Sequence, residues 1–484
     1  MPMSMLRAKG AAIGLLLASA ALTPGGSAVA QSAFTTLDRT GEAQVNFSGP
    51  ERGAPILAGS TVKVSGQKFR PGQKVTLLYG TQPLPGGSFT ADAEGKITGS
   101  IAIPANAVAG SFPIIVVAEA PYFAAVEDLK VSPTIPLSGQ QDYKITQAQT
   151  ARGVYQSAYS AKNNALFTAS SQGRPPVANS ELVKLDGATM KILARVMPAV
   201  APEPERRGGQ AGRPGGESGN AARGPGVYAV YGVGVDDAKD TVWTTNSRQN
   251  TVAVYKQSDL SLVKQFPVGT VNHARDAVID STLGKAYVSA TFQPEVKVFD
   301  TATLGLPKGV AIKSLARGKD FSAASLSLDP AAHKLYVVSN ATNEVAVINT
   351  RTDMVEHVFP VPGGRSTIGI SHDPQTGRIY VAGQGSDNLV VLDGTNGAVI
   401  ADTPVGAGAL NVVFDPVKRR AYVANRGAST IAVIDADGKL VANLGPAPTP
   451  NHVALGKGGT VYAVNKSANA TGEEADSIMV IQPK

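Results

Sequence analysis

The chain has 484 residues, 43% hydrophobic and 17% charged, enough for two or more domains with sizeable cores and outside the range of disordered or fibrous chains. Its net charge of +7 is mild and spread along the chain, so it permits contact with anionic polymers without arguing for it. The absence of cysteine excludes disulfides, a thioether-linked haem and thiolate metal sites.

In chain order, residues 1–30 have the form of a secretory signal. Arg7 and Lys9 make a basic start, Ala11 to Leu22 an apolar centre, and Ala28-Val29-Ala30 a small-residue cleavage site before Gln31. The apolar run is too short to span a bilayer, and no other stretch is longer. The expected product is exported and soluble, periplasmic or secreted, with no membrane span once the signal is removed. Removal leaves a net charge of about +5. Residues 31–45 are small and polar, a flexible leader.

From residue 46 to 131 the pattern is of short strands punctuated by turns. Thr61 to Gly66 alternates, Phe69-Arg70-Pro71-Gly72-Gln73 turns, and Lys74 to Tyr79 forms the next strand. Ala93-Glu94-Gly95-Lys96 is a hairpin turn before Ile97 to Ile103, and Phe112 to Glu119 is nearly continuous apolar sequence, as in a buried strand. This predicts a small β-sandwich. Its phrase Phe69-Arg70-Pro71-Gly72-Gln73-Lys74-Val75 resembles that of bacterial immunoglobulin-like modules, which implies an Ig-like domain that spaces, anchors or binds. Residues 132–141 form a linker.

The remainder, 142–484, is a repeat. An aromatic residue flanked by small and β-branched ones recurs at Phe167, Trp243, Tyr287, Tyr336, Tyr380, Tyr422 and Tyr462, with the last five intervals 44, 49, 44, 42 and 40 residues. Each is followed by a second apolar run. Seven residues before the aromatic stands Asp236, Asp280, Asp329, Asp373 or Asp415, with Ser160 in the first copy, read as turn formers. Short strands of this kind cannot bury two faces alone; stacked in a ring they can. The predicted fold is all-β, a seven-bladed β-propeller preceded by a small Ig-like β-sandwich. The seventh copy stops at Gln482-Pro483-Lys484 without a fourth strand, so residues 142–147 are expected to complete it. Residues 201–226, rich in Arg and Gly, cannot bury a core and are predicted to be a disordered insertion between blades one and two.

The repeats resemble the YncE-like, YVTN-type seven-bladed propellers. The matching phrases are Ala286-Tyr287-Val288-Ser289, Leu335-Tyr336-Val337-Val338-Ser339-Asn340, Ala421-Tyr422-Val423-Ala424-Asn425 and Val461-Tyr462-Ala463-Val464-Asn465. Gly153 to Ser160 and Asn451-His452-Val453-Ala454-Leu455 are similar to the exported members. The resemblance implies fold and export rather than a chemistry.

In a propeller the residues leading into each innermost strand face the axial channel. Aligned on the aromatics, these are Tyr155 and Gln156, Tyr228 and Tyr231, Asn272, His273 and Arg275, Lys319 and Phe321, Arg365, Asn411, Asn451 and His452. The candidate ligand-binding set is Tyr155, Tyr231, His273, Arg275, Phe321, Arg365, Asn411, Asn451 and His452. Arginines with aromatic rings suit an anionic or planar ligand. The bland alternative is that these groups fill and hydrate a narrow channel.

The expected role is therefore an exported, non-catalytic propeller of the cell envelope that binds a ligand or an envelope protein as a monomer. No cofactor, metal site or catalytic residue is expected: His273 and His452 lack a carboxylate cluster, and no nucleophile, phosphate-loop or dinucleotide motif occurs. Two other readings stay open. One is a lactonase- or esterase-like hydrolase with a histidine base and Arg275 and Arg365 on the oxyanion. The other is nucleic-acid binding through a basic face and residues 201–226.

Overall fold

The aromatic repeat organises four-stranded antiparallel sheets. A computed structural model of the chain describes residues 42–202, 226–466 and 476–484. The segment 1–30 expected to be a signal, most of the expected 31–45 leader and nearly all of the 201–226 insertion lie outside the described residues. The ends of that insertion are tied together, the Ala201 amide donating to the Gly226 carbonyl over 2.8 Å.

Blade five illustrates the unit: strands Thr367–His372, Arg378–Gly383, Asn388–Asp393 and Val399–Pro404 follow one another in space as in sequence. Asp373-Pro374 opens the first turn. Its carboxylate accepts the Gln375 amide at 3.0 Å, and the Asp236, Asp280, Asp329 and Asp415 carboxylates do the same for amides two and three residues on. These aspartates are the turn formers the repeat predicts.

Among the described residues the propeller segment forms seven such sheets, and the seventh is completed from the segment's far end. Tyr143–Gln149 pairs antiparallel with Ser477–Pro483, so the edge left at the end of the chain is covered by the expected segment. Each innermost strand contacts those of the two flanking blades, including the last and the first, which closes the ring.

The aromatic anchors sit on the second strand of each blade and are no more than 3% exposed. Several of them also fasten one blade to the next. The hydroxyls of Tyr287, Tyr380 and Tyr462 donate to the carbonyls of Thr350, Ala436 and Gly187, each in a neighbouring blade, over 3.1, 3.0 and 2.7 Å. The cores likewise lie between sheets. Val338, Val345 and Val347 of blade four pack with Ile379, Val381, Val390 and Leu392 of blade five. Each such side chain, buried, contributes about 1.5–3 kcal/mol that a lone sheet would forgo.

The N-terminal domain has two sheets on one core. Gln44–Ser48, Thr61–Gln67 and Ile97–Ala102 form one; Gln82–Thr90, Lys74–Tyr79, Gly110–Ala118 and Phe123–Val131 form the other. Val62, Val64, Val75, Leu77, Ile97, Ile114 and Val116 meet between them. The strand Gly110–Ala118 differs from its sequence pattern. Towards its end, fully buried residues alternate with partly buried ones, because only one face meets the opposite sheet.

This domain touches the propeller at blades five and six. Lys130 Nζ lies 2.8 Å from Asp387 Oδ1, Arg365 Nη2 lies 2.6 Å from Asp128 Oδ2, and the linker carbonyl of Ile135 accepts from Asn443 Nδ2 at 2.9 Å.

Candidate functional site

The innermost strands leave an axial cavity of about 210 Å³. It is lined by Tyr155 and Gln156 of blade one, Tyr231, Ser247 and Arg248 of blade two, and His273 and Arg275 of blade three. Leu410, Asn411 and Arg426 of blade six and Asn451 and His452 of blade seven complete it. Seven of the nine predicted site residues therefore meet: Tyr155, Tyr231, His273, Arg275, Asn411, Asn451 and His452.

Phe321 and Arg365 do not line the cavity. Phe321 is 1% exposed in the apolar core between blades three and four. Arg365 is held away by Asp128 of the N-terminal domain. Tyr228, Asn272 and Lys319 do not line it either.

Many of the polar side chains at the channel are used to join blades. Asn411 Oδ1 accepts the Val453 amide at 2.9 Å, and Asn451 Nδ2 donates to the Tyr155 carbonyl at 2.7 Å. Gln156 Oε1 accepts the Val233 amide at 3.3 Å, and Thr245 Oγ1 donates to the Arg275 carbonyl at 3.1 Å. Asp276 turns into the wall between blades three and four, where it accepts the Leu326 amide at 3.0 Å. Gly232 sits at one of these joints, and a Cβ there would overlap the Arg275 carbonyl oxygen and Gln156 Oε1.

The groups left facing the cavity are mainly cationic and aromatic. Arg248 Nε donates to the Tyr231 hydroxyl at 3.1 Å, with its guanidinium 5.8 Å from the ring centroid. Tyr231 meets Tyr155 edge to face at 4.5 Å. The Lys466 ammonium stands 3.2 Å from the centroid of Tyr155. Arg275 Nε is buried and has no hydrogen-bond partner among the described residues. No carboxylate belongs to the described lining.

This crowding shows in the titrating groups. Loss of solvent, then the charge of Arg426, lowers the Lys466 ammonium to about 7, against the opposing pull of Asp476. Desolvation and then Arg275 lower His452 to about 3. His273 is also lowered, by desolvation and then by Arg248 and Arg275. Desolvation works against the Arg275 charge too, with Asp276 opposing it. An anion in the cavity would relieve all of these together.

The same facts bear on hydrolysis. The Ser157 amide donates to His452 Nδ1 at 3.4 Å, which places the proton of the neutral ring on Nε2. A neutral imidazole with a pKa near 3 is a poor proton acceptor but a serviceable donor to an anion. The His273 ring lies tilted against Phe292, ring centroids 4.5 Å apart, and the charges that act on it are those of Arg248 and Arg275. No cluster of three metal-ligating side chains occurs among the described residues, and no helix there is long and apolar enough to cross a membrane.

Arg248, Arg426 and Lys466 escape the sequence argument because they follow the second strand of a blade rather than precede the first. A signal exists in hindsight: each comes one or two residues after a strand-ending asparagine, Asn246, Asn425 or Asn465.

No family model matches the chain, and no curated protein does. Solved structures with the same fold do. A chain of Kuenenia stuttgartiensis hydrazine synthase is 15% identical with a TM-score of 0.53, covering 69% of this chain and 97% of its own. The WD40 repeats of RRP9 are 10% identical with a TM-score of 0.53, covering 72% and 100%. The structure of U3-55K is 10% identical with a TM-score of 0.52, covering 71% and 98%. The chain has a β-propeller fold. At these identities the likeness concerns the fold alone.

Proposed function

We propose that this chain is an exported, non-catalytic binding protein of the YncE-like, YVTN-type propeller class, whose axial cavity takes a small anionic ligand with a planar part. The observation that carries the reading is the convergence of Arg248, Arg275 and Arg426, with Lys466 behind Tyr155, on a cavity with no carboxylate in its described lining. The Tyr155–Tyr231 pair offers faces for the planar part. An anion bound there would gain charge-assisted hydrogen bonds in a desolvated setting, where they are strongest. Export rests on the signal-like segment 1–30, and an Ig-like front module on the Phe69 to Val75 phrase.

Calorimetric titration tests this. Phenyl phosphate is expected to bind one to one and saturably, while phenyltrimethylammonium, of similar shape and opposite charge, does not bind. Equal binding of both probes, or of neither, contradicts the proposal. Sequencing the N-terminus of the exported protein checks the mature start at Gln31.

A further inference from the structure

We infer that the N-terminal domain is coupled to the axial cavity, and that Lys130 acts as a positioning residue for Arg426 through Asp387 and the loop Val405–Gly408. Both ends of this route lie on one face of the propeller. The turn holding Asp387 joins the second and third strands of blade five, and the turn holding Arg426 is its equivalent in blade six.

Each step is a contact. Lys130 Nζ reaches across from the N-terminal domain to the Asp387 carboxylate at 2.8 Å and also donates to the Gln384 carbonyl at 3.1 Å. The Asp387 side chain is only 2% exposed, so Lys130 supplies the cation for a nearly buried charge. The same Oδ1 accepts the Gly408 amide at 2.7 Å, and the Asp387 carbonyl accepts the Val405 amide at 3.0 Å. The loop between them then holds the neighbouring turn. The Gly408 carbonyl accepts the Arg426 amide at 3.0 Å, and the Ala407 carbonyl accepts the Gly427 amide at 2.9 Å.

Two more ties run to the loop from the Arg426 turn, Asn425 Nδ2 donating to the Val405 carbonyl at 2.6 Å and the Ala428 amide to the Ala407 carbonyl at 3.0 Å. Gly406 and Gly408 adopt φ values of +119° and +71°, and glycine leaves these torsions soft. A Cβ on Gly408 would press on the Gly427 amide at 3.0 Å, so the loop and the Arg426 turn lie too close to move independently. Removing the Lys130 charge leaves Asp387 with an uncompensated carboxylate, which will turn toward water or draw other donors. Turning toward water takes Oδ1 away from the Gly408 amide. By linkage, an anion that engages Arg426 favours the docked N-terminal domain as much as docking favours the anion.

The coupling does not require the ligand to be known, but its binding arm rests on the anion-site reading above. The test uses the full chain with Lys130→Met, which keeps the aliphatic stem, and Lys130→Arg, which keeps the charge. Amide hydrogen exchange is followed at Gly408, Arg426 and Gly427, with Val390 and Ala432 in the sheet interiors as controls. Lys130→Met is expected to speed exchange at the first three and not at the controls, and to weaken phenyl phosphate binding about fivefold or more. Lys130→Arg is expected to restore both. Unchanged exchange at Gly408 and Arg426 overturns the inference, as does faster exchange with unchanged affinity. If phenyl phosphate fails to bind the wild-type protein, the anion-site reading falls, and exchange at the Arg426 amide alone decides the coupling.

Discussion

The two arcs of the propeller make different use of the same positions. Blades one to three, six and seven turn the lead-in to their innermost strand toward the axis and supply all the side chains of the cavity. Blades four and five supply none. In blade four the residue in register with Arg275 is Ala324, fully buried, and Phe321, three residues earlier, packs into the core with Val310, Ile312 and Leu335. In blade five it is Ile368, also buried, and Arg365, three residues earlier, meets Asp128 of the N-terminal domain. The repeat thus fixes where a side chain starts but not what it touches. One arc forms a charged cavity, and the other gives that freedom to packing and to domain contact.

Substitutions on the two arcs should separate stability from binding. The largest effect is expected at Phe321: Phe321→Ala should cost about 3–5 kcal/mol of stability in denaturant titration, with phenyl phosphate affinity of the folded protein unchanged. A loss of affinity without a loss of stability would move Phe321 into the cavity arc.

Next is a pH effect on stability from His452. Its pKa falls from an ordinary 6.5 in the unfolded chain to about 3 in the folded one. The unfolded state therefore binds the extra proton first. Stability from this group is complete above pH 6.5 and falls as pH drops toward 3, by up to about 1.4 kcal/mol per pH unit. Thermal or denaturant melts of His452→Gln should show a shallower slope in that window; an unchanged slope places the histidine in water.

A smaller effect belongs to Lys466. It is a cation below its pKa of about 7 and neutral above it. Phenyl phosphate affinity should drop by about tenfold or less as pH rises from 6 to 8.5, an effect of roughly 1 kcal/mol for one partly solvated charge. In Lys466→Met that drop should be absent, leaving only the rise that the ligand's own second ionisation at about pH 6 brings.

The smallest is Arg365→Ala. About half of each partner of the Arg365–Asp128 pair is exposed, so its loss should change the melting midpoint by less than about 1 kcal/mol equivalent.

Most of the fold was legible because it repeats. Tyr380 and its six counterparts, the turn aspartates and the unpaired seventh sheet each recur or fail in phase, and one closed ring satisfies them all. The site was partly legible for the same reason. Register locates Tyr155, His273, Arg275, Asn411 and His452, since period alone places a lead-in residue at the axis. It does not locate Arg248 or Arg426, whose long side chains reach the axis from turns that most blades fill with small residues. Strict register also sets Arg365 apart, since it aligns with Asn272 and Phe321, three residues before the lead-in at the axis, but it does not show Asp128, 237 residues away, as its partner. Register also cannot tell that Asn411 and Asn451 are committed to amides and carbonyls of the next blade.

The central claim is that half-buried cations on one arc bind an anion. The most direct measurement is a paired titration of phenyl phosphate into Arg275→Met and Arg365→Met. The account predicts that Arg275→Met loses about 30-fold or more in affinity while its melting temperature holds or rises, because a desolvated charge has been removed. Arg365→Met should stay within about threefold of wild type, the scale of an exposed pair. Equal affinities for the two variants would contradict the account.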